Sequence, residues 1–306
     1  MGDGLFPMAT PGKHRMDHPL ESEPLDIPGL MRKHGLQPNK SLGQNFLIDP
    51  HYLEMVAEAG GINNQDTILE IGAGIGNLTR LLAARAGQVI AVEIDPSLIP
   101  ILRETTEEYS NIMVKQGDIL ALDITQLITT SSFQVIANIP YYITSKIIRY
   151  LMTGSMKPKR IILTIQKEVA ERICTKSGKH SLLSLSVQVF GKPTIEFKIP
   201  AGAFFPVPKV DSAVVKIDIY PSPKISADHL ETFFYLAKAG FSQKRKNLRN
   251  SLSAGTLLDK KTCEQLLNSA KIAYQRRAET LSIDEWKTVT LEYQKLKFPP
   301  NEPRIK

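Results

Sequence analysis

The segment Glu70-Ile-Gly72-Ala-Gly74-Ile-Gly76 joins an apolar run, Thr67–Ile71, to a helical pattern over 78–86, and it limits the possible folds more than any other stretch of the chain. Glycines spaced by single residues let a backbone turn sharply and approach a ligand at the positively polarised start of a helix. A second apolar run, Gln88–Glu93, follows that helix. Strand, glycine turn, helix and strand in this order make a βαβ unit, whose strands lie parallel.

The alternation then continues. Helical spacing covers 98–109, strands are predicted at 112–114 and 133–137, a helix begins at Ser145, and a strand over 160–166 precedes a helix over 167–174. This predicts an α/β fold with a Rossmann-like, doubly wound sheet. The segments 185–190, 194–199 and 213–219 are β-rich with no helical pattern between the last two, so the sheet is expected to finish in an antiparallel hairpin. Upstream, Asp49 and Pro50 form a helix start ahead of Tyr52, Leu53, Val56 and Ala57. Past Pro221 and Pro223 the β signal gives way to helical patterns at 227–239, 248–252, 260–268 and 283–296. A chain of 306 residues is long for one domain, so 29–221 is expected to form the α/β domain and 222–306 a small all-α domain. Residues 1–28, with five prolines and no apolar period, are expected to be a disordered tail.

Charge divides along the same line. Residues 1–220 carry 22 Lys+Arg and 22 Asp+Glu, so the net charge of +7 falls entirely in 221–306, which holds 16 against 9. A basic module on a neutral one suggests a polyanion partner, because Lys and Arg at phosphates gain from counterion release; a solvated helical surface would have the same composition. The cluster Lys244, Arg245, Lys246 and Arg249, read as lying within two helical turns, is the densest set of candidate phosphate contacts. No run of 18 apolar residues and no leader-like apolar core occur, so a cytoplasmic protein without a membrane partner is expected. Cys174 and Cys263 stand apart, with no C-x-x-C pair and no histidine cluster nearby, and no metal site is expected.

The glycine loop reads E-x-G-x-G-x-G, and the third position after Gly74 is Asn77 where a dinucleotide fingerprint has glycine; S-adenosylmethionine fits better than NAD. Glu93, ending the second strand, can accept hydrogen bonds from both hydroxyls of a ribose, and Asp118, just past the third, can accept from an adenine amine. Together these strand ends predict one crevice at the carboxyl edge of the sheet. The next strand ends in Asn138-Ile139-Pro140-Tyr141. An exocyclic adenine amine is a poor nucleophile because its lone pair is delocalised into the ring. The Asn138 side-chain carbonyl and the Ile139 backbone carbonyl could accept the amine hydrogens and draw the lone pair out, with Pro140 fixing the turn and Tyr141 offering a ring to a flipped-out base. Asn-x-Pro is also ordinary turn chemistry; its place beside the crevice favours the catalytic reading.

With these residues in view the chain resembles, over 36–291, the ribosomal RNA adenine N6,N6-dimethyltransferases of the KsgA type. Six segments carry the resemblance: Leu42-Gly-Gln-Asn45-Phe-Leu47, the Gly72 loop, Asn138-Ile-Pro-Tyr141, Phe204-Phe-Pro-Val-Pro-Lys-Val-Asp-Ser212, Phe241-Ser-Gln-Lys-Arg-Lys-Asn-Leu-Arg-Asn-Ser251 and Arg277-Ala-Glu-Thr-Leu-Ser282. The resemblance implies an S-adenosylmethionine-dependent methyltransferase sheet, with Asn45, Leu47, Gly72, Glu93, Asp118 and Asn138 contacting S-adenosyl-L-methionine and Phe204 facing Tyr141 across the target adenine. It also implies dimethylation of two adjacent adenines near the 3′ end of small-subunit (16S) rRNA, within the immature small ribosomal subunit, by a monomeric enzyme. Ala73 stands where the family commonly has proline, which is expected to change loop stiffness without loss of binding. Segment 241–251 resembles the ribosome-assembly enzymes more than the antibiotic-resistance methyltransferases that modify large-subunit RNA. A non-catalytic RNA-binding assembly factor that keeps the crevice as scaffold is the competing class.

Overall fold

A computed structural model describes residues 25–176 and 178–296. In chain order the described residues form α1 (Ile27–Lys33), β1 (Phe46–Leu47), α2 (Pro50–Ala59), β2 (Thr67–Ile71), α3 (Asn77–Ala83), β3 (Gln88–Glu93), α4 (Ile99–Thr106), β4 (Ile112–Gln116), α5 (Ile124–Leu127), β5 (Gln134–Asn138), α6 (Thr144–Thr153), β6 (Arg160–Gln166), α7 (Lys167–Ile173), α8 (Leu182–Gln188), β7 (Gly191–Ile199), β8 (Phe204–Phe205), β9 (Ser212–Ile219), α9 (Ala227–Phe241), α10 (Leu248–Gly255), α11 (Lys260–Ser269) and α12 (Ile283–Lys295). Seven strands make one sheet in the order β4-β3-β2-β5-β6-β9-β7. The first five run parallel; β9 is antiparallel to both β6 and β7. The chain runs from β2 to β3 and β4 at one edge and returns with β5 on the other side of β2. That reversal opens a crevice at the carboxyl ends of β2 and β5.

Period-2 alternation explains why helices cover both faces. On β2, Ile68 joins one apolar cluster with Val89, Ile136, Ile162 and Val214, whereas Leu69 and Ile71 join the opposite one with Ile90, Val135, Leu163 and Val215. The second cluster continues without a break into the C-terminal helices, where it includes Leu236, Leu252 and Trp286. Strands end at Ile219 and α9 begins at Ala227, so the change of secondary structure falls at the prolines while the apolar core runs on through it. Among the described residues no helix is long and apolar enough to cross a membrane.

Three sequence expectations need correction. Residues 25–28, assigned to the tail, are ordered: the Asp26 side chain accepts from the Gly29 N–H and caps α1, and Ile27 is fully buried in a cluster with Met31, Phe46 and Leu98. Residues 1–24 lie outside the described residues. The stretch 185–190, read as β-rich, lies mostly in α8. Ser181 and Ser184 form a reciprocal capping box at its start, and Leu185 and Val187 are buried there, so capping and packing override the β preference of the valines. The basic run 242–247 is a turn between α9 and α10 and not a stretch of helix.

Candidate active site at the carboxyl ends of the strands

Four strand ends and one overlying segment build the crevice. From β2 the chain enters the glycine loop, where the N–H groups of Gly72 and Ala73 both donate to the Val92 carbonyl of β3. Gly74 has φ +60°, and a Cβ on it would stand 3.0 Å from the Phe46 ring, so both backbone conformation and space require glycine. Its N–H donates to Glu93 Oε2 at 2.7 Å, and the Asp95 N–H donates to Glu93 Oε1 at 2.9 Å. The carboxylate is therefore fixed in direction before any ligand arrives, and each oxygen keeps a lone pair. Burial pushes the Glu93 carboxyl up, with the two N–H bonds pulling it the other way.

The segment 39–47 covers this edge like a strap. Gln44 Nε2 donates to Asp95 Oδ2 at 2.7 Å, Gln44 Oε1 accepts from the Asn39 N–H, and the Asn45 carbonyl accepts from Asn138 Nδ2 at 3.0 Å. The last contact settles how Asn138 is turned. With Nδ2 donated to the strap, the side-chain oxygen is the free end of the amide, and Asn138 lines the crevice with Ile139, Pro140 and Tyr141. A Cβ on Gly72 would lie 3.4 Å from the Asn138 backbone carbonyl, so the glycine loop runs directly against the backbone at the end of β5.

Asn45, Gly72, Glu93, Asp118, Asn138, Pro140 and Tyr141 all line the one crevice. Asp118 is exposed at its rim, where Oδ1 accepts from the Leu120 N–H and the other oxygen has no bond to a described residue. Tyr141 is half-buried, and its hydroxyl lies 2.7 Å from Ser212 Oγ. Burial raises the Tyr141 hydroxyl above its ordinary value, against the Ser212 bond. Tyr142, unmentioned in the sequence reading, also lines the crevice; its ring stands 3.3 Å from where a Cβ on Gly43 of the strap would be.

Three assignments sit elsewhere. Leu47, the last residue of the strap, is buried, pairs with Phe204 in the short antiparallel β1–β8 ladder, and gives its carbonyl to Asn77 Nδ2; its side chain packs in the core and not on the crevice. Phe204, expected to face Tyr141, is 1% exposed in the same cluster. The β1–β8 pairing turns it under the strap and sends Phe205 to the other side, against the cluster of Ile27 and Phe46. Arg249 pairs with Glu264 at 3.2 Å and lies 5.1 Å from the centre of the Tyr274 ring, which commits it to joining α10 to α11. Lys244, Arg245 and Lys246 are exposed in the 242–247 turn.

Glu70, the first residue of the glycine motif, has a property the spacing did not reveal. It is fully buried and burial pushes its carboxyl up to about 8, so near neutrality it is mostly protonated.

The arrangement fits an adenosyl cofactor on its own geometry: a cradle that Cβ atoms would fill, a carboxylate aimed by two backbone N–H groups, and a second carboxylate one strand further on. The family model of the ribosomal RNA adenine dimethylases matches residues 35–295. A ribosomal RNA small subunit methyltransferase A of Dehalococcoides mccartyi is 42% identical over 265 residues, covering 86% of this chain and 91% of its own. That of Alkaliphilus oremlandii is 41% identical over 272 residues, covering 87% and 95%. Among solved structures, a dimethyladenosine transferase from Plasmodium falciparum superposes with TM-score 0.69 at 28% identity, covering 81% of this chain and 96% of its own. The 23S rRNA methyltransferase ErmE superposes with TM-score 0.66 at 27% identity, covering 81% and 99%. With a model spanning most of its length, a Rossmann-like sheet of this order and a crevice of this composition, the chain belongs to the ribosomal RNA adenine dimethylase family.

Proposed function

We propose that the protein transfers methyl groups from S-adenosyl-L-methionine to N6 of two adjacent adenines near the 3′ end of small-subunit rRNA, acting as a monomer on immature small subunits in the cytoplasm. The observation that carries this reading is the Asn138 amide, whose nitrogen is occupied by the Asn45 carbonyl so that its oxygen is left as an acceptor beside the glycine cradle and Tyr141. The cofactor supplies an electrophilic methyl group on a sulfonium. Glu93 and Asp118 would hold the adenosyl moiety, with the strap segment around Asn45 lining the same crevice. Asn138 Oδ1 and the Ile139 carbonyl accept the two hydrogens of the target amine, which turns its lone pair out of conjugation and toward the methyl carbon. Tyr141 supplies the surface on which the flipped base rests. Transfer would then be an in-line displacement in which the methyl–sulfur bond breaks as the methyl–nitrogen bond forms, the neutral thioether leaves and the nitrogen gives up one proton to water; orientation and loss of water account for most of the rate.

Identity near 40% to small-subunit enzymes supports the choice of RNA, since the sheet alone is shared with a large-subunit enzyme. Methyl-labelled cofactor incubated with immature small subunits tests the reading. Label on two neighbouring adenines of the small-subunit rRNA is expected. No incorporation would favour a scaffold role, and label confined to large-subunit RNA would overturn the choice of substrate.

A further inference from the structure

Tyr141 carries a hydroxyl that stacking does not need, and in this structure that hydroxyl has a partner. Its oxygen lies 2.7 Å from Ser212 Oγ. Ser212 is completely buried and is the first residue of β9, where it stands opposite Gln166 of β6 and Ile199 of β7. Its strand is therefore paired on both sides. Tyr141, by contrast, begins a short 3-10 turn, Tyr141–Ile143, between β5 and α6, and its side chain has two rotatable bonds. Ser212 ends the segment that begins at Phe204, so one stretch of chain both pairs with the strap at Leu47 and reaches the tip of Tyr141.

We propose that Ser212 is a positioning residue for methyl transfer: it pins the tip of Tyr141, so that the ring holds the flipped adenine with its amine in line with the methyl group. The inference rests on the function proposed above. In-line displacement tolerates little misplacement, and a ring tied only by its Cβ lets the base swing relative to the acceptors on Asn138 and Ile139. A hydrogen bond to the buried Ser212 hydroxyl also gives this position a use for tyrosine, since phenylalanine would stack as well.

The test is a double-mutant cycle on the full-length protein with immature small subunits and labelled cofactor. Ser212→Ala and Tyr141→Phe are each expected to lower kcat by about 10-fold, with KM for particles and cofactor affinity within about twofold of wild type. The double variant is expected to be no worse than either single one, because both remove the same bond. Ser212→Thr, which restores a hydroxyl, is expected to recover part of the lost rate. Wild-type turnover in Ser212→Ala, or a further loss of similar size when it is added to Tyr141→Phe, would overturn the proposal. Should Ser212→Ala fail to fold, Tyr141→Phe alone decides: unchanged kcat in that variant rejects the pin. If the wild-type protein transfers no methyl group, the proposed function fails first, and the two failures are thereby told apart.

Discussion

At the scale of single residues, the crevice depends on where polar atoms are already committed. Glu93 and Asn138 could be picked from sequence because each ends a strand, and parallel strands bring their carboxyl ends to one edge. Their orientation could not be picked, since it depends on the Gly74 N–H and the Asn45 carbonyl, which are 19 and 93 residues away. The same holds for the residues that moved. Nothing in the order Phe204-Phe205 says which ring goes under the strap, and nothing near Arg249 announces Glu264 across the helix pair. Ser212 closed a recognisable motif with no role attached until its hydroxyl met Tyr141. Glu70 leads to a prediction of pH dependence. Its carboxyl is raised from 4.5 to about 8 by burial, so between those values the folded protein holds a proton that the unfolded chain releases. Stability attributable to Glu70 is therefore full below about pH 4.5 and declines as pH rises through the window toward 8, with a slope of at most about 1.4 kcal/mol per pH unit. Urea unfolding of wild type and Glu70→Gln across that range checks it. The two stabilities are expected to diverge as pH rises, with Gln the flatter, and parallel curves would contradict the buried, protonated carboxyl.

At the scale of elements, the alternating α/β pattern was legible because each element carries its own period. The four C-terminal helices were legible for the same reason. Where the reading failed, local preference and tertiary packing disagree: 185–190 alternates apolar and polar residues and carries Val187, Val189 and Phe190, yet Ser181 caps a helix whose buried face meets the core. The strap was recognised only as a motif, because a segment with two strand residues and one short turn has no period to read. Packing between α9 and α12 gives the second prediction. A Cβ on Gly240 would fall 2.6 Å from the Trp286 ring, which is itself fully buried. Gly240→Val is expected to cost about 1 to 3 kcal/mol in unfolding free energy through overpacking. Cofactor affinity should remain that of wild type, since neither residue lines the crevice. Unchanged stability would mean that the two helices can separate at little cost.

At the scale of the whole molecule, a neutral sheet and a basic group of helices share one continuous apolar core, which holds the crevice and the charged surface in a fixed relation. Lys244, Arg245 and Lys246 are exposed in a turn, whereas Arg249 is occupied by Glu264. Replacing the three lysine and arginine residues of the turn by Gln is expected to make the slope of log affinity against log salt shallower by about 2 to 3 units on duplex RNA elements of the particle. Arg249→Gln is expected to leave that slope unchanged and to lower stability. Equal slopes for the triple variant and wild type would place the phosphate contacts on other residues.

In the proposed mechanism Asn138 acts on the amine itself, and the decisive measurement is single-turnover methyl transfer to immature small subunits saturated with labelled cofactor. Asn138→Ala is expected to slow transfer by about 100-fold or more while particle affinity stays within about twofold of wild type, because the lost acceptor acts on the reacting nitrogen and not on the phosphates. A transfer rate equal to that of wild type would contradict the account.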